Sequence, residues 1–366
     1  MNRLIIIGNG FDLAHGLKTS YKDFINWYWD QRVEALRNYT SKISDDGLCS
    51  LSLSRFCQES SWKEYINITE QSQEGFHFTT QSLQNNVFID VRKYDLLKAI
   101  DENLEDKNWV DIENVYYDIL KLHYKINDIC CSLNNQLHFL QEKLVEYLNS
   151  LQGISRNEDI LDLMTDQIYA KDISICDRKR VINEIGSERY RQNSWDAESI
   201  MILSFNYTKT AKYYTNPNFI HNYIHGELSK PNEIIFGYGD EFDKGYNDLR
   251  DRNDNELLKN IKTVKYLETG HNKKMLEFIE SATFQVFIMG HSCGNSDRTL
   301  LNKVFEHENC VSIKPFYYVN PDGTDNFQEL SINITRNFTS TNLCRYRVVD
   351  KEQCQELPQC PKDTNE

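Results

Sequence analysis

Four consecutive branched apolar residues, Leu4-Ile5-Ile6-Ile7, stop without transition at Gly8-Asn9-Gly10. No other junction in the chain constrains the fold as tightly. A short, β-branched run with no polar face fits a strand buried on both sides, the position that strands occupy in a parallel sheet. Glycines directly after such a strand let the backbone turn sharply and approach a ligand, and amide N–H groups in that turn can hold a phosphate. Gly8, Asn9, Gly10, Phe11 and Asp12 are therefore candidate nucleotide-binding residues. A tight strand-to-helix turn without a ligand satisfies the same pattern. The run departs from the dinucleotide fingerprint G-x-G-x-x-G, because Leu13 stands at the last glycine position and the next glycine is Gly16. Asp12 is awkward in a phosphate cradle, and suits a backbone acceptor or a partner for a ribose hydroxyl better.

The same grammar returns in the second half of the chain. Apolar runs at Ile200–Leu203, Phe219–Ile224, Glu233–Phe236 and Phe284–Met289 end in Ser204-Phe205-Asn206-Tyr207, His225-Gly226, Gly237-Tyr238-Gly239-Asp240 and Gly290-His291-Ser292. Ser312–Val319 and Cys344–Val349 read as two further strands, and helices fit Asn255–Thr269, Lys273–Ser281, Arg298–His307 and Gln328–Asn337. Strands alternating with helices predict an α/β fold with a doubly wound, mostly parallel sheet. Ligands in such sheets bind outside the carboxyl ends of the strands, where these Gly-, Asn- and His-bearing turns fall.

Asn206 and His225 each end a predicted strand and would meet at one crevice. An amide can orient a hydroxyl or a water and an imidazole can accept a proton, so both are candidate catalytic residues. Taken singly, an Asn at a strand end is commonly a cap and a His before Gly commonly structural. Gly290 and Ser292 read as a second ligand-facing turn. Ser296 and Asp297 suit either that role or the N-cap of the helix that follows. Trp109-Val110-Asp111-Ile112-Glu113 holds paired carboxylates, which can position water or a metal but are also ordinary partners of a helix N-terminus.

Between residues 46 and 197 glycine becomes sparse, proline is absent, and Leu133, Leu137, Leu140, Leu144 and Leu148 recur at helical spacing. This stretch reads as a large, mostly helical insertion, irregular in its first part (46–95), within a core of residues 1–45 and 198–349. Before it, Thr19 or Ser20 could cap a helix carrying Tyr21, Phe24, Ile25 and Tyr28 on one face. A polar tail, 350–366, is expected to lack fixed structure.

Charge and cysteine usage remove several classes of function. The net charge of −14 disfavours nonspecific nucleic-acid binding. The ten cysteines include no C-x-x-C pair, so neither a zinc ribbon nor a thioredoxin motif is present and no metal site is expected. The apolar run at Leu4–Ile7 is too short for a signal segment or a membrane span, which points to a cytoplasmic chain with reduced thiols.

The segment GNGFDLAHGLKTSYKDF (Gly8–Phe24) closely resembles the start of the abortive-infection AbiH family of bacterial phage-defence proteins. Ser204-Phe205-Asn206-Tyr207, Ile224-His225-Gly226, Gly290-His291-Ser292 with Ser296-Asp297, and Trp109-x-Asp111-x-Glu113 follow that family's order. The same order is similar to a divergent sirtuin-like Rossmann core. That resemblance implies that Gly8 and Gly10 form an NAD phosphate turn, that Asn206 contacts the ribose or a water, and that His225 is the base. Gly290 and Ser292 would form the late nucleotide-binding turn. Thr208 stands where the sirtuin motif has Asp, and the sirtuin zinc-binding cysteine pairs are missing. Protein deacylation is then disfavoured, and water becomes the expected acceptor. The implied activity is hydrolysis of NAD⁺ to ADP-ribose and nicotinamide, with NAD as substrate and no cofactor. A nucleotide sensor, or another nucleotide hydrolase or nuclease, is the alternative. Self-assembly or a partner protein would gate the activity, with the helical insertion as contact surface or lid.

Overall fold

The glycine-bounded apolar run becomes the middle strand of a parallel sheet. In the computed structural model, the described residues are 1–38, 43–53, 61–72, 78–79, 87–89, 95–106, 111–151 and 153–360. The sheet contains β1 (Asn2–Ile7), β2 (Ile200–Ser204), β3 (Phe219–Tyr223), β4 (Phe284–Met289) and β5 (Cys310–Phe316). All neighbours run parallel in the order β3-β2-β1-β4-β5. The winding therefore reverses at β1, between β1 and β4. Register aligns the strand ends: Ile7 lies opposite Ser204 and Met289, and Ser204 opposite Tyr223.

Alternation between two covered faces explains why most strand positions are apolar, and why the buried exceptions Arg3, Gln285 and Ser312 are hydrogen-bonded. Leu4 and Ile6, with Met201, Leu203, Val286 and Ile288, face a core formed with helices His271–Ser281, Arg298–Phe305 and Phe327–Arg336. Ile5 and Ile7, with Ile202, Phe287 and Met289, face Phe11, Ala14, Ile160, Met164 and Tyr214 on the other side. Each fully buried aliphatic side chain contributes roughly 1.5–3 kcal/mol, so a polar residue on either face would be costly. The sheet is covered on both faces, as the apolar runs predict.

Contacts divide the chain into two compact units. One comprises Met1–Lys18, Leu151–Lys244 and Ile261–Glu366, and the other Thr19–Ser150 and Gly245–Asn260. The second unit opens on helix Tyr21–Arg37, where Ser20 and Asp23 form a reciprocal capping box. Its longest helix, Asn127–Ser150, buries Leu133, Leu137, Leu140, Leu144 and Leu148, the stripe read from their spacing. Ile43–Asp45, Ser50–Leu53 and Val87–Ile89 add a small antiparallel sheet to this mostly helical unit.

Four expected elements are corrected. Cys344–Val349 is not a strand: Ser340 caps a helix at Thr341–Arg347 through the Leu343 amide, and only Val348 bridges to Ile313. Glu233–Phe236 leaves a 3₁₀ turn (Pro231–Glu233) as irregular backbone, with the Ile235 amide bonded to the His225 carbonyl. Asn255–Thr269 breaks into helices Asn255–Leu258 and Lys262–Tyr266, which fall in different units. The segment after Asp350 is fixed as far as residue 360. Leu357 is buried with its amide on the Tyr317 carbonyl, and the Cys360 amide bonds Ala14. Among the described residues no helix is long and apolar enough to cross a membrane.

Candidate functional site

Because the strand ends lie level, their following residues gather at one edge of the sheet. Phe205 N bonds the Ile7 carbonyl, Ile224 N the Ser204 carbonyl, and Gly10 N the Gly290 carbonyl. Asn206 then donates from Nδ2 to the Gly8 carbonyl at 2.8 Å. Three turns from β1, β2 and β4 are thereby laced together.

The glycines serve this lacing. A Cβ on Gly10 would come 2.8 Å from the Gly290 carbonyl oxygen, and one on Gly8 would come 2.8 Å from the His291 ring. Gly290 has φ +74°, and a Cβ there would lie 2.1 Å from the Phe11 amide nitrogen. The close approach that the sequence assigns to a pyrophosphate is here an approach of one turn to another. Gly8 is buried, and Asn9 and Gly10 are half-buried.

Behind these turns sits a buried charged cluster. The Asp297 carboxylate accepts from Lys262 Nζ at 2.7 Å on Oδ1, and His225 Nε2 lies 3.2 Å from the same oxygen. His291 Nε2 is 3.6 Å from the other oxygen. His225 Nε2 also lies 3.0 Å from the Tyr266 hydroxyl. Cys293 N donates to His291 Nδ1 at 2.9 Å, which leaves the His291 proton on Nε2, facing Asp297. Phe205 packs edge-on against both imidazoles, and Tyr266 stacks on His225. Lys262, His225, His291 and Asp297 are 1%, 4%, 5% and 8% exposed.

Burial by itself would raise the Asp297 carboxyl, but Lys262 and then His225 outweigh it, and the group lies well below the usual carboxylate range. Burial, reinforced by the Lys262 charge, pushes His225 down to about 4. At neutral pH the cluster is thus an ammonium–carboxylate pair beside a neutral imidazole. Removing one member of a buried pair typically costs about 3–5 kcal/mol.

A second buried acid, Asp12, lies near Asn206. Thr208 donates to Asp12 Oδ2 at 2.7 Å, and Thr208 and Thr210 hydroxyls are 3.1 Å apart. Asp12 Oδ1 is buried without a hydrogen-bond partner. Burial raises this carboxyl to about 6, against the Thr210, Thr208 and Asn206 side chains, which lower it.

The structure brings Gly8, Asn206, His225, Gly290 and Asp297 to one edge. It does not bring all the expected residues there as ligand-facing groups. Phe11 is a core residue, packed against His15 and Tyr214. Ser292 is exposed, its carbonyl accepting from Asn333. Ser296 is buried with its carbonyl against Gly239. Asp297 occupies the N-cap position of helix Arg298–Phe305 but makes no side-chain cap bond, because its carboxylate is turned into the cluster. Asp111 is a true N-cap, accepting from the Glu113 and Asn114 amides in the second unit. Trp109 lies outside the described residues. Among the described residues no group of three or more His, Cys, Asp or Glu is arranged to hold a metal ion.

Lys262 and Tyr266 were not legible as site residues. Both sit in a stretch that reads as an ordinary polar helix, and Lys262 finds Asp297 across 35 residues of sequence. His291 had a signal, since it lies inside the Gly290-His291-Ser292 turn.

A covered five-stranded parallel sheet, carrying buried His, Asp, Lys and Asn side chains at its carboxyl edge, defines an α/β protein. The chain belongs to the bacteriophage abortive infection AbiH family, whose model matches residues 4–319. Its role is accordingly in phage defence by abortive infection. No curated protein and no solved structure matches it.

Proposed function

We propose that the carboxyl edge of the sheet is a nucleotide site that hydrolyses NAD⁺ to ADP-ribose and nicotinamide. The observation that carries this reading is that Asn206, bonded to the Gly8 carbonyl, and His225, 3.2 Å from Asp297 Oδ1, follow the level carboxyl ends of neighbouring strands β2 and β3, next to the reversal of strand order at β1. The order β3-β2-β1-β4-β5 is that of doubly wound, Rossmann-like dinucleotide-binding sheets, in which ligands sit at this switch point.

The chemistry asks little of a protein beyond placement. Water adds to the ribose carbon that bears nicotinamide, the C–N bond breaks, nicotinamide leaves as a neutral molecule, and one proton is released. No acid is needed for the leaving group, and the barrier lies in the oxocarbenium-like sugar. Asn206, with its amide nitrogen tied to Gly8, presents its carbonyl to orient a ribose hydroxyl or the water. His225, neutral above about pH 4, accepts the proton. Gly8–Asp12 and the Gly290–Asp297 segment would flank the nucleotide. Since His225 is 4% exposed, turnover includes an opening of this edge before the sugar reaches it.

The same burial favours a second reading, a sensor that binds a nucleotide without cleaving it. Chromatography of NAD⁺, ATP and cyclic nucleotides after incubation with the purified chain, with calorimetry on each, separates the two. Equal amounts of nicotinamide and ADP-ribose from NAD⁺ alone are expected. Binding with every nucleotide recovered intact establishes the sensor, and neither binding nor loss of any nucleotide removes both readings.

A further inference from the structure

We infer that Lys262 and Asp297 are the positioning pair that fixes the tautomer of His225, making Nδ1 the atom that receives the proton. The inference rests on the NAD⁺ reading above for its reaction and on geometry for its assignment. A single oxygen, Asp297 Oδ1, faces both Lys262 Nζ at 2.7 Å and His225 Nε2 at 3.2 Å. A carboxylate held ionised only accepts hydrogen bonds, so the imidazole must carry its proton on Nε2. The Tyr266 hydroxyl, 3.0 Å from the same nitrogen, then serves as a second acceptor for that N–H. The lone pair of the neutral ring is left on Nδ1, to which no hydrogen bond runs among the described residues.

Lys262 has the electrostatic part of the task. Without its ammonium, the buried carboxylate would stabilise an imidazolium at His225, and the base would be filled before substrate arrived. With it, the carboxylate's charge is already balanced. The charged or titratable groups around His225 are Lys262, Asp297, His291, Tyr266 and Tyr207. Of these, Asp297 alone favours the protonated ring as a charge. In the reaction the Nδ1 lone pair takes a proton from a ribose hydroxyl or from the attacking water. Asp297 then holds the resulting imidazolium through Nε2 until the proton leaves to solvent.

Nitrogen-15 NMR of the histidine side chains in the full chain tests the assignment without any substrate, with His225→Gln identifying the resonance. In the parent, His225 is expected to show a protonated Nε2 and an unprotonated Nδ1 at neutral pH. Lys262→Met should raise its proton affinity about tenfold or more, and Lys262→Arg should restore the parent titration. The low-pH limb of NAD⁺ cleavage should move up in Lys262→Met and return in Lys262→Arg. A parent with the proton on Nδ1, or a folded Lys262→Met protein with an unchanged His225 titration, overturns the inference. If Lys262→Met does not fold, the parent tautomer and the Lys262→Arg titration decide it. A parent that shows the expected tautomer yet leaves NAD⁺ intact would refute the reaction and retain the positioning pair.

Discussion

Asp12 and His225 are both buried and respond to pH in opposite senses. His225 is depressed from 6.5 to about 4, so the stability it carries is complete above pH 6.5 and is lost as pH falls toward 4. Asp12 is raised from 3.8 to about 6, so the stability it carries is complete below 3.8 and is lost as pH rises through 6. For a buried carboxyl displaced that far, the cost at neutral pH is roughly 3 kcal/mol. Asp12→Asn, which does not titrate, should therefore gain on the parent between pH 4 and 6.5 by about that amount. Urea unfolding of both proteins across that range measures it. A pH-independent difference between them would mean that Asp12 ionises freely in the folded chain. This acid was legible as a candidate in Gly8-Asn9-Gly10-Phe11-Asp12, but its partners Thr208 and Thr210 were not, because the contact spans 196 residues.

At the scale of elements, the sequence was most legible where physics is local. Leu4–Ile7, Ile200–Leu203 and Phe284–Met289 are strands because a residue on either face meets a covering helix, and the one polar residue among them, Gln285, is buried with Arg3 and Ser312 as hydrogen-bond partners. The long Leu stripe at 133–148 is a helix for a similarly local reason. Legibility failed where a tertiary contact outweighed propensity. Cys344–Val349 has the β-branched and aromatic character of a strand, yet its start is committed to a helix by the Ser340 cap, and Arg347 is buried on the Phe305 carbonyl. The glycine turns were visible, but their neighbour was not. Nothing in Gly8-Asn9-Gly10 reveals that Gly290 will lie against it. This pairing predicts a sharp contrast. Gly290→Ala meets Phe11 N at 2.1 Å on top of its positive φ, and should lose about 3 kcal/mol or more. Gly16→Ala, also at positive φ but in open space, should lose only about 1–2 kcal/mol. Urea midpoints of the two variants give the comparison, and equal losses would show that the turn-to-turn contact is not needed. For the same reason a bulky residue at Gly10 is expected to damage the fold as well as any nucleotide affinity.

For the whole molecule, the proposed function makes the edge where β1, β2, β3 and β4 end a single catalytic site. Residues from Gly8 to Asp297 contribute to it, so the site exists only in the folded first unit. The direct test is cleavage of NAD⁺ under single-turnover conditions, with protein in excess, in the parent, Asn206→Ala, His225→Ala and the double variant. Nucleotide affinity is measured alongside by calorimetry, and folding is checked by thermal unfolding. Removing a positioned base should slow cleavage by about two to four orders of magnitude. Groups acting on one sugar work as a unit, so adding Asn206→Ala to His225→Ala should cost far less than it does in the parent. Affinity should change little in either single variant. Cleavage losses that multiply, or near-parent cleavage by a folded His225→Ala protein, would contradict a shared catalytic site.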